Sequence, residues 1–232
     1  MGERQPYRGW LSAEQIAEGK NACSRNARRL YDDASMLYEQ NRFASAAALA
    51  ILAIEETYKL TLLDQLTLCS TDEQTSKCWK EFSSHAAKGR PWDFAASLPG
   101  ELEEDELPSA EYFWSAEIGC SASTDANRMK QAAIYVDCVG EGNWVEPADE
   151  FREQTAHEVL DFACSCSSRA DFSVREIELM REHLKPLVTR GTVPSGVVSA
   201  IRSYLDAASE EKVLPPAAAE RWARVLAMLE AD

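Results

Sequence analysis

Charged side chains set inside an apolar helix are the first place to look for chemistry, because burying them without partners is costly. Glu55-Glu56-Thr57-Tyr58-Lys59 follows directly on the unbroken apolar run Ala46 to Ile54. A second polar group, His85-Ala86-Ala87-Lys88, comes later in the chain. Glu56 and Lys59 are three positions apart, as are His85 and Lys88, so each pair shares a helix face. If the two helices are antiparallel with a turn near residue 70, Glu56 stands ~18 Å from that turn and His85 ~20 Å, at 1.5 Å per residue. The two groups therefore sit at about the same height. Two readings follow. One is a buried Glu–Lys or Glu–His pair that fixes helix register. The other is a functional polar pocket formed by Glu55, Glu56, Lys59, His85 and Lys88.

The elements that must position these groups are helices. Ser12 and Gln15 form a capping box that opens a helix near Ala13. Ile16, Cys23, Leu30 and Leu37 recur every seven residues, with Ala27 and Ala34 in the same stripe, so this helix runs to about Gln40. After a short break at Asn41-Arg42 a second helix extends to Leu68. Its all-round apolar middle makes it the buried central helix. Thr71 and Gln74 cap a third, expected to reach about Lys88. Residues 89–122 read as an insertion: irregular over 89–110, where Gly89, Pro91, Pro99, Gly100 and Pro108 punctuate an acidic run, with a short helix around 111–118. A fourth long helix is expected from Asp125 to Asp137, and a fifth from about Ala148 to Cys166 after Gly140, Gly142 and Pro147. Three more follow. The first is capped by Ser173 and Glu176, the second starts at Pro194, and the third opens at Pro215-Pro216. Short connections between long helices imply antiparallel neighbours, hence an all-α, up-and-down bundle.

Composition narrows the function. The net charge of −15 and pI near 4.7 argue against nonspecific wrapping of long nucleic acid and against docking on anionic membrane, while leaving room for a small local RNA site. No run of ~18 apolar residues suggests a membrane span, and Met1 to Pro6 has no apolar core of a secretory signal. The seven cysteines include no C-x-x-C pair, and Cys164 and Cys166 are only two positions apart. Reduced thiols in a cytoplasmic protein are expected, with no metal site and no cofactor. Trp79, Trp92, Trp114 and Trp144 read as covers of the bundle ends; an exposed one would mark an interface. His183, on a polar helix face, is assigned to solvent.

Four runs in series carry a family resemblance. They are Asn26 to Tyr38, Phe43 to Lys59, Phe82-Ser-Ser-His85-x-x-Lys88, and Met129-Lys-Gln-Ala-Ala-Ile-Tyr135-Val-Asp137 with Trp144 and Pro147. Their order and spacing resemble the AbiV-type abortive-infection proteins of bacteria, in the HEPN helical superfamily. The resemblance covers about residues 13–166. It implies a HEPN-like bundle over 13–168. The tail, 169–232, is not covered by it and reads from its own helix signals as a C-terminal helical extension packed on the bundle. The resemblance also implies a frequent homodimer, a defence role against phage with shutdown of host translation, and a phage-encoded activator. Other HEPN proteins are metal-independent ribonucleases.

That superfamily's ribonuclease motif is Arg, four to six residues, then His. Arg152-Glu-Gln-Thr-Ala-His157 matches it. With 16 Arg and three His in the chain, roughly 0.6 matches arise by chance, so the spacing carries weight only together with the resemblance. Five positions on a helix also lie about 140° from same-facing, so convergence needs a helix start or a partner subunit. The plain alternative for His157 is an ordinary amphipathic-helix position. Arg128, six residues and Tyr135, with Asp137 after it, resembles the same motif with Tyr where His is expected. A phenol is a poor general base at neutral pH, so this second site would bind rather than cleave. In the ribonuclease reading, Arg152 or Arg128 holds the scissile phosphate, His157 or His85 moves protons, and Lys59 and Lys88 hold flanking phosphates. In the binding reading the same groups hold a nucleotide or RNA, or a bundle face grips a ribosomal or phage protein. In a third, Glu56, Lys59, His85 and Lys88 are a structural polar layer of a helical scaffold.

Overall fold

The computed structural model describes residues 5–83, 122–166, 171–186 and 194–216, and beyond these only 218–220, 222, 223 and 226. Among the described residues the chain is all-α apart from one small hairpin. The helices are α1 (Ala13–Glu39), α2 (Phe43–Leu68), α3 (Asp72–Ser83), α4 (Ala122–Ala132), a short α5 (Pro147–Glu150), α6 (Glu153–Ser165), α7 (Val174–His183) and α8 (Pro194–Glu210). Strands β1 (Asp137–Val139) and β2 (Asn143–Val145) stand between α4 and α5.

The expected caps form. Ser12 N donates to Gln15 Oε1 (2.9 Å) and Gln15 N to Ser12 Oγ (3.2 Å). Thr71 and Gln74 repeat the exchange at the start of α3. Glu176 N donates to Ser173 Oγ, and Pro194 is the first residue of α8. Asn41 takes φ +59°, a left-handed conformation that asparagine tolerates, and Arg42 N donates back to Leu37 O. That reverses the chain between α1 and α2.

Two compact units divide the residues, and both long helices contribute to each. One unit draws on Ala22–Thr61 and the described part of Ser84–Ala170; the other on Met1–Asn21, Leu62–Ser83 and Asp171–Asp232. In the former, Ala34 of α1, Ala50, Ile51 and Ile54 of α2, and Val159, Leu160, Ala163 and Cys166 at α6 form one apolar cluster. Beside it, Ala47 and Ala48 receive Ala133 and Phe151. Alanines at these α2 positions let neighbouring elements approach closely. Residues 46 to 54 are buried except for the partly covered Leu49 and Leu52, as expected of a central helix.

In the other unit, Gly19 of α1 meets α2 so closely that an added Cβ would lie 3.4 Å from Leu63 Cδ1. Trp79 of α3 is buried, and its indole donates to Gly9 O (3.0 Å), the cover expected of it. Lys20 and Asp64 form an ion pair at 2.5 Å with side chains 2% and 3% exposed. The Lys20 ammonium lies 4.1 Å from the centre of the Phe172 ring, and the Asn21 amide exchanges two 2.9 Å hydrogen bonds with the Phe172 backbone. A charge this deep is tolerable because both a carboxylate and a ring face meet it.

Three expectations need correction. The fourth helix ends at Ala132 rather than Asp137, because residues 137–145 close a hairpin around Gly140 (φ +57°) and Gly142 (φ +97°). The fifth helix is broken at Phe151-Arg152 into α5 and α6, since both residues are extended there. His183, assigned to solvent, is only partly exposed, and its ring Nδ1 is 2.9 Å from Ser203 Oγ.

Candidate functional site

The polar groups near the middle of α2 separate into two ion pairs. Glu56 accepts from Lys59 one turn on, and both side chains are partly covered. Glu55 faces elsewhere and accepts from Lys130 of α4, with both side chains 6% exposed. Cys23 lies against the Glu56–Lys59 pair. Burial, reinforced by the Glu56 carboxylate, pushes its thiol up to about 11. His85 and Lys88, expected opposite Glu56, lie outside the described residues, as do Trp92, Trp114 and most of the insertion.

The Arg152–His157 motif falls at a helix start. Arg152 is the N-cap of α6, with φ −101° and ψ 173°, and makes no side-chain cap. Its side chain is therefore not bound by the helical rotation that would turn it about 140° from His157. His157 is 60% exposed, and its Nδ1 is 2.9 Å from Asp161 Oδ2 one turn later. The edge of the Tyr38 ring packs on it, with centroids 6.0 Å apart, and Phe43 backs Tyr38 at 5.5 Å. A carboxylate on Nδ1 fixes the neutral imidazole as the tautomer whose Nε2 carries the lone pair. Asp161 was missed from the sequence, although its position four residues after a histidine on one helix is a readable signal.

Arg128 lines a cleft of about 300 Å³ together with Met129, Ala132, Glu150, Phe151 and Thr155. Glu150 to Thr155 includes the α6 start, so this cleft brings α4's arginine to the neighbourhood of Arg152. Tyr135 does not join it as a helix neighbour of Arg128. It lies beyond the end of α4 and is 60% exposed. Asp137 opens β1, and its carboxylate accepts from Cys138 N at 2.7 Å. Trp144, expected as a cover, is 74% exposed. Lys130 was also missed: it lies in a polar-looking helix, and only the packing of α4 on α2 shows that it is buried.

Among the described residues no group of three or more His, Cys, Asp and Glu could hold a metal ion. Among the same residues no helix is long and apolar enough to cross a membrane.

An all-α core built on an Ala-rich central helix is consistent with a HEPN-like bundle. The AbiV family model of HEPN proteins matches residues 15–168, and the chain belongs to that family. No curated protein and no solved structure gives a significant match to it. Membership points to an abortive-infection, HEPN-type function.

Proposed function

We propose that this chain is a cytoplasmic abortive-infection effector that arrests the growth of a phage-infected bacterium by blocking translation, through a metal-independent endoribonuclease site at the start of α6. One observation supports this most directly: His157 is open to solvent, with Asp161 holding Nδ1 and Nε2 left as the proton acceptor. In the reaction, Nε2 removes the proton of an RNA 2′-hydroxyl. The 2′-oxygen attacks the adjacent phosphorus, and the bond to the 5′-oxygen of the next nucleotide breaks. The leaving oxygen takes a proton from a second acid, and the products are a 2′,3′-cyclic phosphate and a 5′-hydroxyl end. No oxidant and no metal enters the balance. Arg152, with the free amides of the first turn of α6, and Arg128 from the adjoining cleft neutralise the charge that builds on the phosphate oxygens. The second acid is His85 of the same chain or the His157 of another copy. Homodimers are frequent in HEPN domains, and a dimer would bring two α6 starts together.

Lys59 and Lys88 are assigned to flanking phosphates. Lys59 already serves Glu56, so it is the weaker of the two assignments. The competing reading, a binding protein without catalysis, draws on the exposed apolar residues after α4, which have no place in the cleavage scheme.

The test is incubation of the purified protein with total bacterial RNA and with ribosomes in EDTA, beside His157→Ala, His85→Ala and Tyr135→Phe. Discrete cleavage lost with His157→Ala and kept with Tyr135→Phe is the expected result. Absence of cleavage while a coupled extract still stops translating would overturn the nuclease and leave stoichiometric binding.

A further inference from the structure

The segment from Ile134 to Val145 exposes more apolar surface than a small hairpin needs. Ile134 is 48% exposed, Tyr135 60%, Val136 54%, Val139 44% and Trp144 74%. The hairpin is antiparallel, with Cys138 opposite Trp144 and Val139 opposite Asn143. Directly opposed residues share a face, so Trp144 and Cys138 project to one side and Val139 to the other. The sheet has only these two strands among the described residues. A three-residue, two-stranded ribbon is marginal in water by itself, and a tryptophan as exposed as Trp144 on such a ribbon, with Ile134, Tyr135 and Val136 exposed just before it, marks a surface meant to be covered.

Charge says what covers it. Asp137, Glu141 and Glu146 are all exposed on or beside the hairpin, and no Lys or Arg stands between Ile134 and Glu146. The whole chain carries −15. A second copy would bring an equal set of carboxylates against these, RNA would bring phosphates, and an anionic membrane would bring like charge. Each is opposed. A basic protein surface is favoured by the rim and by the apolar centre together.

We infer that the hairpin is a docking element for a protein whose surface offers an apolar pocket ringed by lysine and arginine, with Trp144 as the side chain that fills the pocket. Tryptophan is the residue type most enriched among those that dominate binding energy, and an acidic rim steers such a partner in and fixes its orientation. The inference does not depend on RNA cleavage. It holds for a nuclease that must be brought to its target and for a protein that acts by binding alone.

The experiment places a photo-cross-linking amino acid at position 144 of the full chain, in growing and in phage-infected bacteria. The expected product joins the chain to a basic protein. Its yield falls more than about tenfold with Glu141→Lys and Glu146→Lys together, and is unchanged by a matched reversal at Glu18 and Glu39. With that protein purified, Trp144→Ser weakens binding at least about tenfold, as loss of a dominant contact residue does, and added salt slows association. Circular dichroism unchanged in Trp144→Ser shows that the fold is kept. Cross-links to another copy of this chain, to RNA or to an acidic protein would overturn the inference. So would the absence of any adduct in both conditions, or a basic-protein adduct indifferent to the hairpin charges.

Discussion

Lys130 and Glu55, 75 positions apart in the chain, meet in a buried ion pair, whereas the neighbouring Glu56 is satisfied within its own helix by Lys59. Adjacent carboxylates thus do different jobs. One joins α4 to α2, and the other keeps a partly covered charge neutral. Removing one member of a buried pair strands the other, which costs about 3–5 kcal/mol, while replacing both with apolar groups of similar size is often nearly neutral. Lys130→Met is therefore expected to destabilise the protein by about that amount in urea. Adding Glu55→Leu should recover most of it. Single variants that each cost little and simply add would show that the pair contributes no coupling.

Asn21 binds both backbone groups of Phe172. Asn21→Ala leaves a part-buried amide and carbonyl without those partners, at about 1–3 kcal/mol for unmade bonds. Hydrogen exchange at the Phe172 amide should accelerate more than exchange in the middle of α6. Equal acceleration at both would mean that the amide acts only through global stability.

The pairing of His157 with Asp161 predicts a graded loss of RNA cleavage. His157→Ala removes the proton acceptor, worth about 10²–10⁴ in rate for general-base catalysis. Asp161→Asn keeps the shape but frees the ring to adopt the other tautomer. Because both side chains are about 60% exposed, the expected loss is only about tenfold, at the low end for an exposed orienting group. Asp161→Asn losing as much as His157→Ala, with helix content unchanged, would move the acid–base role to the carboxylate.

Alkaline pH should weaken the protein through two thiols. Burial pushes Cys166 up to about 12 and Cys23 up to about 11, against an ordinary value of 9.0. Above pH 9 the unfolded chain loses these protons and the folded chain keeps them, so the unfolded state gains. Stability contributed by the neutral thiols is intact below pH 9 and falls as pH rises, by about 1.4 kcal/mol per pH unit for each thiol until its folded pKa is reached. Urea midpoints between pH 8 and 10.5 should drop in the parent chain and drop less in Cys166→Ala. Cys69 and Cys78 are tied by one hydrogen bond (Sγ–Sγ 3.6 Å), which lowers the first thiol and raises the second, so the pair contributes in both directions. Cys69→Ala removes both shifts together, and the Cys166→Ala series is best run in that background.

Local signals in the sequence were readable because they are made within a few residues. The Ser12–Gln15 and Thr71–Gln74 boxes, the short break at Asn41-Arg42 and the Pro194 start each depend on near neighbours. The heptad stripe of α1 and the apolar centre of α2 were legible too, since burial follows period. What could not be read was the choice of distant partner. Nothing in Met129-Lys130-Gln131 says that this lysine is buried, and nothing near Lys20 names Asp64 or Phe172. Those depend on the rotation and level of packed helices, which a pattern leaves open by a turn or more. The hairpin was hidden for another reason. Strands of three residues are too short to show alternation, and Ala133 to Asp137 continued an α4 pattern well enough to extend the helix in expectation. The α6 start shows the converse: the motif was visible, but its geometry turned on a helix boundary, the least certain feature of any pattern.

The Phe172 ring that lies against the Lys20 ammonium also sets an order of events during synthesis. Lys20 and Asp64 leave the ribosome early, and Phe172 follows more than a hundred residues later. Until it emerges, the Asn21 amide has no Phe172 backbone to bind and one side of the buried lysine is uncovered. The unit formed by the chain's two ends therefore closes late, after α1, α2, α4 and α6 are all available to pack. For a chain read as a brake on translation, that delay leaves each nascent molecule incomplete while it is still attached to the machinery it would stop.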